Sequence, residues 1–341
     1  MRSVITGGAG FVGSHLVEHL LAAGDEVVVL DDLSTGSLQN LSHLLGDPRL
    51  RVVEGTILDG ELVRATLTGA DRVFHLAAAV GVRLIIDEPL KSLRTNIHGT
   101  ERVLEAAHEV GARVLLVSTS EVYGKNTADA LHEDSDRILG SALKSRWTYA
   151  AAKGIDEAFA HAYFTQLGLE VAIVRLFNTV GPRQTGRYGM VVPNLVGQAL
   201  RGDELTVFGD GQQTRCFSYV RDVVPALVAV AEDDRALGRA FNLGGAEEIS
   251  IGALAERVIA ATGSSSGIRL VPYEEAYAGE GFEDMRRRVP DNTAAGELVG
   301  FVPRTPLDEM IRAIAADIRS RSGIDGTAAD AEASLVAAGT E

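Results

Sequence analysis

The most constraining feature of this chain lies at its start. Ser3-Val4-Ile5-Thr6 is a short apolar run that breaks into Gly7-Gly8-Ala9-Gly10-Phe11-Val12-Gly13. A strand that leaves through G-x-G-x-x-G and opens a helix has a limited set of uses. The glycines allow a tight turn and bring backbone N–H groups close to a pyrophosphate, which rests on the positive end of the helix. The helix is expected over residues 14–23, where Leu16, Val17, Leu20 and Leu21 share one face and Gly24 ends it. The next strand, centred on Val27-Val28-Val29-Leu30, runs into Asp31, a carboxylate placed to accept hydrogen bonds from a ribose. A 2′-phosphate there would meet Asp31 and Asp32 together, so the pattern favours NAD over NADP. Gly7, Gly10, Phe11, Val12, Gly13 and Asp31 are the expected cofactor residues of this first unit.

The alternation continues. Further strands are expected over residues 51–53, 72–76, 112–117 and 169–176, with helical patterns between them. Strands and helices that alternate this way build a parallel sheet covered on both faces. The expected fold is α/β, a doubly wound parallel Rossmann sheet with a smaller C-terminal α/β substrate-binding domain. Residues 1–178 and 216–245 are assigned to the sheet domain, and 179–215 with 246–320 to the smaller one. Residues 180–189 read as a loop, 193–200 as a helix, 205–208 and 240–243 as strands, and 250–320 as three helical stretches. The tail 322–341, rich in Ala, Gly, Ser and Asp, reads as mostly disordered.

Composition narrows the partners. The formal net charge is −15, so bulk attraction to nucleic acid is not expected. An anionic ligand needs a few local arginines instead. The one cysteine, Cys216, excludes an intrachain disulfide and a multi-cysteine metal site, and it reads as a quiet thiol. No metal is expected. No run is apolar for the roughly 18 residues of a membrane span. The expectation is a soluble cytoplasmic protein.

Two further motifs carry chemistry. In Trp147-Thr148-Tyr149-Ala150-Ala151-Ala152-Lys153, Tyr149 and Lys153 stand at i and i+4, on one helical face. Alone, such a pair is commonplace on surfaces. An ammonium beside a phenol favours the phenolate, which makes Tyr149 a candidate general base. The run Ser118-Thr119-Ser120-Glu121-Val122-Tyr123-Gly124 sits where a parallel strand ends, the edge at which such sheets bind ligands. Ser118 can equally be a capping hydroxyl, and His75, at another strand end, reads as packing rather than catalysis.

The glycine turn, the Ser-Thr-Ser-Glu-Val-Tyr-Gly run and Tyr149-x-x-x-Lys153 together resemble the extended short-chain dehydrogenase/reductases that act on nucleotide sugars. The resemblance covers roughly residues 1–320. It implies a bound NAD, a UDP-sugar substrate and a homodimer built on a helix pair. Carried over residue by residue, it places Thr119 on the sugar 4-hydroxyl with Tyr149 as base, and Lys153 on the nicotinamide ribose. Ile57, Leu76, Ala77, Ala78 and Asn96 border the cofactor. Thr56 stands where the family often has an aspartate that reads adenine. Arg215 and Arg288 match diphosphate-binding arginines, and two guanidiniums suit a diphosphate in charge and geometry. Asn178, Val192, Asn194 and Phe208 fall at sugar, diphosphate or uracil positions, with core packing an equal reading for Phe208.

Within the family, Thr119-Ser120-Glu121 is most similar to the UDP-glucuronate decarboxylases. The segments Leu205-Thr206-Val207-Phe208-Gly209-Asp210-Gly211 and Gln213-Thr214-Arg215 resemble the same group. The implied reaction is oxidation at C4, loss of CO₂ from C5, and formation of UDP-4-keto-pentose, UDP-xylose or both. Ser120, Glu121 and Arg215 are the residues expected to arrange the proton source. Two features point elsewhere. Gly81-Val82-Arg83 resembles the carboxylate-meeting segment of UDP-glucuronate 4-epimerases, and Met190 stands where the decarboxylases usually carry an arginine, with Arg187 nearby. A 4-epimerase is therefore the alternative, and an NDP-sugar 4,6-dehydratase comes after it.

Overall fold

The structure is a computed structural model, and it describes residues 1–81, 88–186, 189–276, 283 and 285–322. Its centre is a parallel sheet. The strands in chain order are β1 (Arg2–Thr6), β2 (Glu26–Asp31), β3 (Leu50–Glu54), β4 (Arg72–His75), β5 (Arg113–Thr119) and β6 (Val171–Leu176). After them come β7 (Thr179–Val180), β8 (Leu205–Phe208), β9 (Thr214–Cys216), β10 (Ser218–Tyr219), β11 (Ala240–Leu243), β12 (Glu248–Ser250) and β13 (Ile268–Val271). Seven of these form one sheet in the order β11-β6-β5-β4-β1-β2-β3. Every pairing within it is parallel, with Thr6 opposite both Leu30 and His75. The order reverses between β1 and β4, and such a switch point opens a crevice at the carboxyl ends of the strands.

The local causes are plain. Val27 to Leu30 are fully buried, as a strand covered on both faces requires. Helix Phe11–Ala22 starts three residues before the expected 14, because Gly10 is its N-cap and the glycine turn runs straight into the first helical turn. Asp59 caps helix Gly60–Leu67, accepting the N–H groups of Glu61 and Leu62 at 3.1 Å. Helices Pro89–Val110 and Thr148–Leu167 end at Gly111 and Gly168, whose φ values of 69° and 71° suit glycine.

Past Asn178 the chain makes three small two-stranded pairings, β7 with β10, β8 with β13 and β9 with β12. Strand β11 then returns to the main sheet beside β6. Among the described residues, the stretch after β11 holds four helices where three were expected: Ile251–Thr262, Tyr273–Ala276, Thr293–Val299 and Leu307–Ser322. The extra one is a single turn, too short to print a 3.6-residue period. One apolar core joins the two halves, running from Ile5 and Leu16 through Val192 and Val223 to Leu254 and Ile311. Among the described residues, no helix is long and apolar enough to cross a membrane. The tail expected to be disordered lies outside the described residues beyond Ser322, as do Arg83 and Arg187.

Candidate active site

A single cavity of about 1150 Å³ runs along the carboxyl ends of β1, β2, β4, β5 and β6 and on into the C-terminal lobe. Its first half is built from turns. Gly7 has φ 76°, and a Cβ there would sit 2.7 Å from the Ala77 backbone nitrogen. A Cβ on Gly13 would sit 2.2 Å from the Gly7 carbonyl oxygen. Neither position has room for a side chain, so the backbone itself forms the cradle, with Gly10, Phe11 and Val12 lining the cavity beside it.

Asp31 closes this half. Its carboxylate accepts the Ala9 and Leu33 N–H groups, each at 2.9 Å. Burial pushes its pKa up despite those bonds. The Asn40 amide donates to the Ala9 carbonyl at 2.8 Å and pins the same turn. Ile57, Leu76, Ala77 and Ala78 line the cavity as expected. Asn96 does not. It is buried behind the wall, where it accepts the Ala79 N–H at 2.8 Å and donates to the Ala79 carbonyl at 3.2 Å, bracing the strand exit that carries Ala77 and Ala78. These features fit a dinucleotide: a backbone nest without side chains for the pyrophosphate and a carboxylate for a ribose.

The second half is held by side chains. Thr119 ends β5, Ser120 and Glu121 follow it directly, and all three line the cavity with Tyr149. Thr119 and Tyr149 share a hydrogen bond. Ser118 also lines the cavity. Its hydroxyl donates to the buried Glu157 carboxylate at 2.5 Å, a bond between side chains rather than a backbone cap.

One expectation is corrected here. The Lys153 ammonium was expected to pull Tyr149 toward phenolate. Instead its Nζ stands 3.0 Å from an Asp156 carboxylate oxygen, with both side chains almost wholly buried. Burial, then the negative charges of Glu121 and Asp156, push the Tyr149 pKa up, and only the Thr119 hydrogen bond and Arg288 oppose them. Glu121 is held from two sides. Arg146 donates to one of its oxygens at 2.5 Å and Arg288 to the other at 2.7 Å. Despite burial, the two guanidiniums hold its pKa far below the usual carboxylate range. Glu121 is held ionised between them.

Arg146 escaped the sequence reading altogether, although it stands three residues before Tyr149. It is 6% exposed and lines the cavity. Arg288 also donates to the Asn178 side-chain oxygen, while the Asn178 amide donates to the Cys216 carbonyl at 2.9 Å. Asn178 has φ 37°, a strained backbone that aims its side chain across this joint. Arg215 is 7% exposed, donates to the Thr214 carbonyl at 2.8 Å and lines the same space. Val192, Asn194 and Phe208 line the far end, and Phe208 is 37% exposed, so it is cavity wall rather than core. Cys216 is buried, and burial pushes its thiol up to about 12, the inert state expected of it.

Comparison with known proteins agrees with this arrangement. The sequence profile of the GDP-mannose 4,6 dehydratase family matches residues 4–314. A UDP-N-acetyl-alpha-D-glucosaminuronate decarboxylase from Bacillus cytotoxicus is 40% identical over 312 residues, 91% of this chain and 95% of the relative. UDP-glucuronic acid decarboxylase 1 from Arabidopsis thaliana is 39% identical over 324 residues, 94% of this chain and 70% of the relative. The crystal structure of a UDP-glucuronic acid 4-epimerase from Bacillus cereus, in complex with UDP-glucuronic acid and NAD, is also similar. It superposes with a TM-score of 0.85 at 28% identity, covering 94% of this chain and 100% of that one.

Proposed function

The chain belongs to the GDP-mannose 4,6 dehydratase family of NAD-dependent epimerases and dehydratases, and from that premise we propose that it is a UDP-glucuronate decarboxylase. The observation that carries the reading is Glu121 held between Arg146 and Arg288 at the mouth of the Thr119–Tyr149 pair. A 4-epimerase or 4,6-dehydratase chemistry starts at the same tyrosine. The triplet Thr119-Ser120-Glu121, and relatives named decarboxylases at 39–40% identity, favour loss of the carboxylate.

NAD, when bound, would supply the acceptor for the hydrogen leaving C4 of the sugar, and would return it where UDP-xylose is the product. Gly7, Gly10, Phe11, Val12, Gly13 and Asp31 hold its adenosine and pyrophosphate, and Ile57, Leu76, Ala77 and Ala78 wall it in. Tyr149 Oη takes the proton of the C4 hydroxyl, which Thr119 orients. Lys153, one helical turn on and paired with Asp156, is the residue that would hold the nicotinamide ribose. The C4 ketone is β to the C5 carboxylate, so loss of CO₂ leaves an enolate conjugated with the C4 oxygen. Hydrogen bonds from Thr119 and from the now protonated Tyr149 stabilise that oxygen where charge develops. Glu121 stays ionised and orients Arg146 and Arg288 toward the substrate. Ser120 and Arg215 complete the wall beside C5, and Arg215, Arg288 and Asn178 hold the diphosphate. Val192, Asn194 and Phe208 border the uracil. A proton taken up from solvent at C5 turns the enolate into the 4-keto pentose, which leaves as such, or as UDP-xylose once C4 regains its hydrogen and its oxygen takes back the Tyr149 proton.

The same reading includes a homodimer in the cytoplasm. Ile155 and Leu167, on helix Thr148–Leu167, are 42% and 52% exposed, apolar positions on the helix that packs against helix Pro89–Val110. A chain with one cysteine asks for no oxidising compartment. The sheet domain is taken as residues 1–178 with 216–245, which the return of β11 to β6 supports.

The test is a product assay. UDP-glucuronate and NAD are incubated with the enzyme and the sugar is identified by NMR. A UDP-pentose is expected. UDP-galacturonate with no CO₂ evolved makes the enzyme a 4-epimerase. UDP-N-acetylglucosaminuronate is run in parallel, because the Bacillus cytotoxicus relative is named for it. Preference for that sugar reassigns the substrate and keeps the reaction.

A further inference from the structure

The mechanism leaves one buried acid unused. Asp156 is fully buried on helix Thr148–Leu167, one turn beyond Lys153, with a carboxylate oxygen 3.0 Å from the Lys153 nitrogen. Burying an ion pair costs more than packing apolar groups of the same size, so it is poor evidence of a stabilising role. The neighbouring acid, Glu157, is accounted for otherwise: it binds Arg175 at 2.7 and 2.9 Å and accepts the Ser118 hydroxyl.

Asp156 sits at the end of a polar chain. Thr100, from helix Pro89–Val110, is its polar neighbour, and among the described residues neither Asp156 oxygen meets a full hydrogen bond. The Thr100 hydroxyl is also 3.0 Å from His75 Nε2, and His75 Nδ1 is 2.6 Å from the Thr6 hydroxyl. Thr6 accepts the Ala77 N–H at 3.3 Å, on the cofactor wall. His75 is wholly buried and held neutral, its pKa pulled down to about 3 by burial and by Lys153. Among the described residues, the cation facing Asp156 is therefore Lys153.

We propose that Asp156 is a positioning residue for proton transfer at Tyr149. It fixes the Lys153 ammonium one turn behind the phenol, and with Glu121 it sets the pH at which the phenol ionises. The groups facing Tyr149 are Glu121 and Thr119 at the end of β5, Arg288 from the C-terminal lobe, and Lys153 and Asp156 from its own helix; Arg146 acts on it through Glu121. Removing the Asp156 charge takes an anion away from the phenolate and loosens the hold on the Lys153 proton. The phenol titration then moves to lower pH.

The inference rests on Tyr149 being the base in the reading above, so it is tested without substrate. Phenolate absorbance of the NAD-loaded full chain is followed against pH, and the Tyr149→Phe spectrum is subtracted to isolate one tyrosine. In Asp156→Asn, which keeps the shape and removes the charge, the midpoint is expected to fall by about one pH unit, a tenfold change in ionisation. Asp156→Glu is expected to return it toward wild type. Where turnover is measurable, the acidic limb of kcat follows the midpoint while KM for the nucleotide sugar stays within about threefold. An unmoved midpoint in Asp156→Asn overturns the proposal. Asp156→Ser is titrated beside it in case the amide disturbs packing. If neither neutral variant folds while Asp156→Glu does, the role is structural and the proposal fails. A shifted midpoint in an enzyme inactive on UDP-glucuronate upholds this inference and rejects the substrate reading.

Discussion

The two ends of the cavity are built by opposite strategies. The cofactor end is backbone: turns after β1, β2 and β4 in which missing side chains make the space. The catalytic end is charge, with Glu121, Arg146 and Arg288 brought from three distant points and locked together out of water. A backbone cradle depends on geometry and is indifferent to pH. A buried charge cluster depends on every member, because removing one leaves its partners uncompensated. The difference predicts how each end fails.

Tyr149→Phe removes the group that both ends converge on. Turnover is expected to drop by about 10²–10⁴-fold, the span of a lost general base, while nucleotide-sugar affinity by calorimetry changes little. Near-normal turnover would take Tyr149 out of the mechanism. At the backbone end, Gly13→Ala puts a methyl 2.2 Å from the Gly7 carbonyl, so the turn must open. NAD affinity is expected to fall at least tenfold, with a stability loss of about 1–3 kcal/mol from overpacking, read by urea denaturation. Unchanged NAD binding would mean that the turn is not the pyrophosphate cradle.

At the charge end, Arg146→Ala leaves Glu121 with one guanidinium. A stability cost of about 3 kcal/mol is expected, the size measured when one partner of a buried pair is removed. The Glu121→Gln, Arg146→Ala double variant recovers part of it. If the single variant is neutral, the cluster is not a unit and the contrast between the two ends dissolves.

The smallest effect is a pH dependence. His75 and His15 have folded pKa values pulled down to about 3 and about 4, against 6.5 unfolded. Below pH 6.5 the unfolded chain binds protons that the folded chain refuses, so stability falls as pH drops, until the folded groups also titrate. Between pH 7 and 5 each contributes a loss of about 2 kcal/mol, read from urea midpoints, and a His15→Gln variant flattens its share. Glu121 has the opposite sense. Its folded pKa lies below the unfolded one, so its stabilisation is complete above the ordinary carboxylate range and is lost only at lower pH.

How much of this was legible in the sequence follows the same division. The cradle was readable because it is local: Gly7 to Gly13 and Asp31 lie in consecutive elements, and strand patterns marked β1 to β6 to within a residue or two. Helix Phe11–Ala22 was placed late because its first apolar-face residue is Leu16, beyond the glycine turn. The cluster at Glu121 was half readable. Arg288 was found by resemblance, but its contact with Glu121 spans 167 positions and that of Arg146 spans 25, and no periodicity encodes such distances. The influence of Lys153 on Tyr149 was misjudged for a different reason. Asp156, three residues on, was in plain view, but only burial reveals that the ammonium is already paired.

The central claim is that the C5 carboxylate leaves once C4 is oxidised at Tyr149. UDP-glucuronate labelled with carbon-13 at its carboxylate tests it directly in the presence of NAD. The account predicts labelled CO₂ in step with a UDP-pentose, with both falling to background in Tyr149→Phe. Turnover that keeps the label in a UDP-hexuronate would contradict it.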